Sequence, residues 1–182
     1  IDIHPVFNAN IADLGAGQDI VCNGSQGKVT ITLTSPANSP WDVTVQDDQG
    51  NPSQLISVNV SPFDADVDVN YASFSGNTAN GSVKYTITMV TDQWGCPAQN
   101  ISGEGEILAI RAPLATAGSD VDVCGMDGTL SAVLDYGTGV WSGPAGVNFA
   151  DATDPVTAIT AAAQGSYLLT WTSSNGVCAD DT

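Results

Sequence analysis

The strongest constraint on this 182-residue chain is a repeat within its own sequence. Ala16-Gly17-Gln18-Asp19-Ile20-Val21-Cys22 returns, one residue longer, as Ala117-Gly118-Ser119-Asp120-Val121-Asp122-Val123-Cys124. The spacing from Tyr85 to Cys96 equals that from Tyr167 to Cys178. Each unit therefore opens on a cysteine in an early strand and closes on one just after an aromatic strand. Self-similarity of this kind indicates one structural unit used twice.

Inside the units the apolar residues alternate. Lys28-Val29-Thr30-Ile31-Thr32-Leu33 and Trp41-Asp42-Val43-Thr44-Val45 change sides with period two, the mark of strands with one buried face. Further strands are expected over 54–60, 66–74, 82–91, 104–110, 120–124, 129–134, 156–160 and 167–172. Turn signals separate them, among them Asp48-Gln49-Gly50-Asn51-Pro52, Gly76-Asn77, Asn80-Gly81, Gly137-Thr138-Gly139 and Asn175-Gly176. On the closing strands the alternation puts Tyr85, Ile87 and Met89, and in the second unit Tyr167, Leu169 and Trp171, on the core side.

Short strands with regular punctuation predict an all-β sandwich or barrel, and with the repeat the expected fold is two tandem Ig-like antiparallel β-sandwich domains. The boundary is expected near Arg111-Ala112-Pro113, where proline removes a ladder donor. That gives 1–14 as linker or as the last strand of a preceding module, 15–112 as module 1, and 113–182 as module 2, lacking its last strand. The longer separation of Cys22 from Cys96 than of Cys124 from Cys178 gives module 1 extra strands or a long excursion within 54–81. Ile1-Asp2-Ile3 followed by His4-Pro5 resembles the 107–113 stretch. The expectation is that the polypeptide continues in both directions, or that residues 1–7 of one copy supply the strand missing from another copy's second module, making head-to-tail filaments.

Four cysteines allow three pairings, and the repeat singles out Cys22 with Cys96 and Cys124 with Cys178, one intradomain disulfide per module. Such bonds imply an oxidising, extracellular setting. Reduced, buried thiols are the competing reading. A zinc site fits poorly, because structural zinc uses closely spaced cysteine pairs and none occur here.

Charge narrows the partners. Three Lys and Arg face 20 Asp and Glu, a formal net charge of −17 that repels phosphate backbones and anionic headgroups. Neither nucleic acid nor membrane insertion is expected, and no run approaches the length of a membrane helix. Divalent cations and positively charged surfaces remain compatible, and so does plain colloidal repulsion between secreted copies.

Catalytic constellations are not apparent. His4 is the only histidine, and it lies upstream of the first module, so imidazole triads and His metal clusters do not arise. No enzymatic activity is expected. Asp64, Asp66, Asp68 and Asn70 alternate in 64–70; in a loop they could converge on calcium, the one cofactor the sequence raises. On a regular strand they form a row rather than a cage and read as a charged edge that discourages aggregation. Trp141 and Trp171 read as core. Trp94 is the tryptophan expected at the surface, either binding a ligand such as a glycan or packing over a disulfide at Cys96. Lys28 and Lys84 raise an intramolecular isopeptide bond, for which no signature is visible.

The second module, with Ala117-Gly118-Ser119-Asp120, Cys124, Gly139-Val140-Trp141-Ser142-Gly143-Pro144, Gly165-Ser166-Tyr167-Leu168-Leu169-Thr170-Trp171-Thr172 and Asn175-Gly176-Val177-Cys178, resembles the PKD-like/Ig-like repeats of Bacteroidetes surface proteins. The first, with Cys22-Asn23-Gly24, 39–45 and 85–92, is similar to companion repeats of the same giant proteins. The resemblance implies export by the type IX secretion system and display in gliding adhesins, filaments or enzyme-bearing stalks. The expected function is that of structural or adhesive repeat modules, acting as spacer, stalk or appendage subunit. The alternative is a ligand- or carbohydrate-binding adhesin module, or a filament subunit joined by strand addition. Expected partners are neighbouring modules of the same or another copy, and surface glycans.

Overall fold

The computed structural model describes residues 1–14, 19–35, 38–75 and 78–182; the Ala16-Gly17-Gln18 part of the repeat and the Gly76-Asn77 turn lie outside them. Among the described residues the chain is all-β, without an α-helix. It divides between Ile110 and Arg111 into two compact units.

Unit 1 (1–110) contains β1 (Asn8–Asp13), β2 (Asp19–Cys22), β3 (Gln26–Leu33), β4 (Trp41–Asp47), β5 (Gln54–Val58), β6 (Phe63–Asp68), β7 (Asn80–Asp92), β8 (Asn100–Gly103) and β9 (Gly105–Ile110). They form a four-stranded sheet, β6-β3-β1-β8, and a five-stranded one, β2-β9-β7-β4-β5. Most pairs are antiparallel; β1 with β8 and β2 with β9 run parallel.

Alternation in the sequence builds this directly. Val29, Ile31 and Leu33 of β3 and Val43 and Val45 of β4 point inward, and with Ile11, Val67, Val83, Tyr85 and Ile107 they make one core shared by both sheets, the layering of a β-sandwich. Trp41 begins β4 and is 1% exposed. Burying side chains of this kind is worth about 1.5–3 kcal/mol each, the main favourable term of the fold.

Two expectations change here. The 1–14 stretch is not linker throughout, because β1 pairs with β3 from Ala9↔Leu33 to Asp13↔Val29, and Phe7, Ala9 and Ile11 are in the core. Met89 faces solvent, 53% exposed. The cause is a bulge. Val45 pairs with Ile87 but Thr44 pairs with Met89, so β7 carries an extra residue at Thr88 and its alternation inverts, bringing Val90 inward instead. The excursion expected within 54–81 is β5 and β6, with 69–74 outside any strand.

Unit 2 (111–182) is built of short pieces: β10 (Ala115–Thr116), β11 (Asp127–Thr129), β12 (Val133–Leu134), β13 (Thr138–Ser142), β14 (Val147–Phe149), β15 (Ala158–Ala161) and β16 (Thr170–Ser174). These pair as β10-β12, β11-β15-β14 and β13-β16, all antiparallel. The core is small: Leu130, Ala132, Trp141 and Trp171, with Phe149, Ile159 and Leu169 half-buried against it. The two indoles meet with ring centroids 5.2 Å apart and planes tilted by 55°, a favoured aromatic geometry. Gly139 makes room for them, because a Cβ there would run into the Trp171 ring. The expected strand over 120–124 is not formed; the stretch is exposed and joins no ladder.

Candidate functional site

The cysteines depart from the repeat. Cys22 and Cys178 are disulfide-bonded, whereas Cys96 is a half-buried free thiol and Cys124 an exposed one. Neither expected pair, Cys22 with Cys96 or Cys124 with Cys178, is made. Equal spacing marks equivalent positions in a repeat, but bonding depends on where the thiols lie in space, which spacing does not report. A disulfide persists in oxidising settings, extracellular or periplasmic.

The row of carboxylates sits on β6. Asp64, Asp66 and Asp68 lie on its outer side and each meets a partner on β3: Thr30 Oγ1 donates to Asp64 (2.9 Å), Lys28 Nζ to Asp66 (2.6 Å) and Gln26 Nε2 to Asp68 (3.2 Å). Asn70 follows the strand, and its carbonyl accepts from Asn51 Nδ2 at 2.8 Å. The strand spreads these groups along a line instead of converging them. Among the described residues no group of three His, Cys, Asp or Glu could hold a metal ion. The chain's three cations are all in ion pairs, Lys28 with Asp66, Lys84 with Glu104 and Arg111 with Asp135. The Lys84 pair and the Lys28 pair are solvated, contributing little stability.

Trp94 lies in the turn after β7 and is 44% exposed. It does not cover a disulfide, since Cys96 is reduced. One face of its ring carries His4, stacked at 4.1 Å with planes 14° apart. Beneath this pair is Asp92, the last residue of β7, buried with its oxygens fully engaged. Its Oδ1 accepts the Trp94 and Cys96 backbone N–H groups (3.0 and 2.8 Å), and its Oδ2 accepts Asn38 Nδ2 (2.7 Å). Burial works to raise the Asp92 pKa, but the Cys96, Asn38 and Trp94 hydrogen bonds and the nearby His4 outweigh it and hold the carboxyl below its usual range. The Asn38 amide also donates to the Pro5 carbonyl at 2.8 Å. Asp92, Asn38 and His4 thereby tie the 4–5 stretch to the turn that carries Trp94. Sequence reasoning found Trp94 but missed Asn38 and Asp92, whose roles depend on contacts distant along the chain.

Tyr85 is a second buried polar group. Its hydroxyl donates to the Asp68 carbonyl at 2.9 Å, across the end of β6. Burial, then the carboxylates of Asp47, Asp68 and Asp48, push its pKa well above the usual tyrosine range.

Unit 2 carries a concavity of about 890 Å³ between 117–126 and 163–169. Its walls include the exposed apolar side chains Val121, Val123 and Leu168 and the edge of Trp141. No helix among the described residues is long and apolar enough to cross a membrane. No protein-family model and no curated protein matches the chain.

Proposed function

We propose that this chain is a structural and adhesive segment of a long extracellular bacterial surface protein, in which two Ig-like modules act as spacer, stalk or appendage subunit. The observation that carries the reading is the layering of unit 1. The order β2-β9-β7-β4-β5 against β6-β3-β1-β8, with β2 parallel to β9, follows the arrangement of variable-type Ig sandwiches, in which the G, F and C strands gain an extra edge strand. Trp41 on β4 then occupies the position of the core tryptophan on strand C. The repeat supports reading unit 2 as a second module of the same kind, and Trp141 lies on β13, which pairs with β16 antiparallel as β4 pairs with β7.

A disulfide and a net charge of −17 suit a secreted chain that must stay dispersed outside the cell. The resemblance to Bacteroidetes repeats adds the route, type IX secretion, and the setting, gliding adhesins or filaments. No catalytic role is proposed. Immunolabelling of intact cells with antibodies to this chain tests the reading: surface labelling removed by external protease is expected. A cytoplasmic pool with all four cysteines reduced would sink it.

The partial exposure of Trp94, whose ring is already held against His4, favours one further reading, an adhesin module that stacks a sugar ring there. Glycan-array binding lost on Trp94→Ala supports it, and an array without signal removes it.

A further inference from the structure

Unit 1 contains four Asn-x-Ser triplets without a central proline: Asn23-Gly24-Ser25, Asn59-Val60-Ser61, Asn80-Gly81-Ser82 and Asn100-Ile101-Ser102. Unit 2 contains none. Such a triplet is the acceptor for N-linked sugar in an exported chain, and it serves only where its amide and its hydroxyl can be reached.

The fold ties up three of the four. Asn23 is half-buried, with its Oδ1 accepting the Tyr71 N–H (2.7 Å) and its Nδ2 donating to the Tyr71 carbonyl (3.3 Å). The Ser61 hydroxyl donates to the Leu33 carbonyl (2.8 Å) and accepts the Leu33 N–H (2.6 Å), and Pro62 follows it. Asn80 and Ser82 stand on β7, an inner strand, paired with Ile110 and Leu108 of β9, and the Ser82 hydroxyl donates to Glu106.

Asn100-Ile101-Ser102 lies differently. It makes up most of β8, the outermost strand of its sheet, and every residue of β8 is exposed. The strand pairs on one side, with β1 from Asn8↔Asn100 to Ile11↔Gly103. Lifting it away costs that one short ladder and uncovers no buried side chain of its own. Asn100 Nδ2 donates one hydrogen to Asn8 Oδ1 at 3.0 Å, and an amide nitrogen has two. The Ser102 hydroxyl makes a long, exposed bond to Asn10 Oδ1 at 3.2 Å.

β8 also lacks what guards the opposite edge of the same sheet. There β6 carries Asp64, Asp66 and Asp68, whereas β8 has no charged side chain and exposes Ile101. An outer strand with open backbone groups and an apolar side chain is a template for pairing with another chain unless something blocks it.

We propose that Asn100 is an N-glycosylation site and that its sugar covers the open edge of β8. The donor is an oligosaccharide carried on a polyisoprenyl pyrophosphate outside the cytoplasm. The bond from the sugar C1 to the pyrophosphate oxygen breaks, a C1–N bond to Asn100 Nδ2 forms, and the amide gives up one proton as the lipid pyrophosphate leaves. The second amide hydrogen stays for Asn8. The sugar's bulk then excludes an incoming strand where charge is missing.

Cleavage by trypsin after Lys28, Lys84 and Arg111 puts Asn100 on a peptide of its own, 85–111, apart from Asn23 on 1–28 and from Asn59 and Asn80 on 29–84. Mass spectrometry of the reduced, cleaved chain, taken from the cells that make it, should find the mass of one or more sugars on 85–111 and the bare sequence mass for the other two. Ser102→Ala should abolish the added mass, and Ser102→Thr should keep it. In sedimentation velocity the sugar-free Ser102→Ala chain should shift to larger species with concentration, while wild type and Ser102→Thr do not. Four results overturn the proposal: 85–111 at its bare mass, sugar that survives Ser102→Ala, sugar equally on 1–28 or 29–84, or sedimentation that is the same with and without the sugar. The site needs an exported chain but no spacer role, so a bare 85–111 leaves the surface-module reading standing.

Discussion

Tyr85→Phe removes one hydrogen bond and one titrating group without changing the shape of the core. The hydroxyl gives its proton to the Asp68 carbonyl at 2.9 Å. That carbonyl also accepts from Gln54 Nε2 at 3.3 Å, so the substitution leaves it partnered. The cost is then the net worth of one neutral hydrogen bond, about 1 kcal/mol, and not the larger penalty of a stranded buried acceptor. The second consequence is in pH. The folded state raises the Tyr85 pKa above its unfolded value near 10, through burial and the carboxylates of Asp47, Asp68 and Asp48. A group raised on folding contributes its stability fully below the unfolded pKa and loses it as pH climbs toward the folded one. Wild-type unit 1 should therefore lose about 1.4 kcal/mol per pH unit from this residue above pH ~10, while the Phe variant does not. Urea unfolding followed by circular dichroism at pH 8, 10 and 11, on wild type and variant in parallel, reads both effects. The two stabilities should differ at pH 8 and converge, then cross, as pH rises. Parallel curves that keep a constant offset through pH 11 would refute the assignment of the buried hydroxyl.

Other consequences can be checked by similar means. Asp92→Asn should cost about 1.5–3 kcal/mol, the range for a hydrogen bond to a charged group, since its new amide opposes the Asn38 donor. Because folding lowers the Asp92 pKa, its contribution is present above the ordinary carboxyl value near 4 and is lost as pH falls through the lowered one. Acid unfolding curves of the variant should lack that loss. Gly139→Val forces a side chain against the Trp171 ring and should destabilise unit 2 by about 1–3 kcal/mol, seen as loss of the near-ultraviolet signal of the tilted indole pair. Alkylation of the native chain followed by mass spectrometry should label Cys124 quickly and Cys96 slowly, with Cys22 and Cys178 reacting only after reduction; rapid labelling of Cys22 would contradict the bonding described.

Much of the architecture was legible in the chain itself. Period-two alternation in 28–33 and 41–45 announced strands with one buried face, and β3 and β4 are those strands. Trp141 and Trp171 could be assigned to a core from their place in apolar alternation, and both are buried. These properties are local, because the pleat of a strand sends neighbouring side chains to opposite faces whatever surrounds it.

Tertiary structure decided the remainder. Whether Met89 turned in or out depended on a bulge opposite Thr44, set by how two strands registered against each other. Asp120–Cys124 has the composition of a strand yet forms none, since a strand exists only where a neighbour completes its hydrogen bonds. Cysteine spacing marked equivalent sites in the repeat but not the sulfurs that bond, because a disulfide requires its two Cα atoms within about 7 Å. Pairing, register and proximity are properties of chain segments brought together from far apart, and no local pattern encodes them.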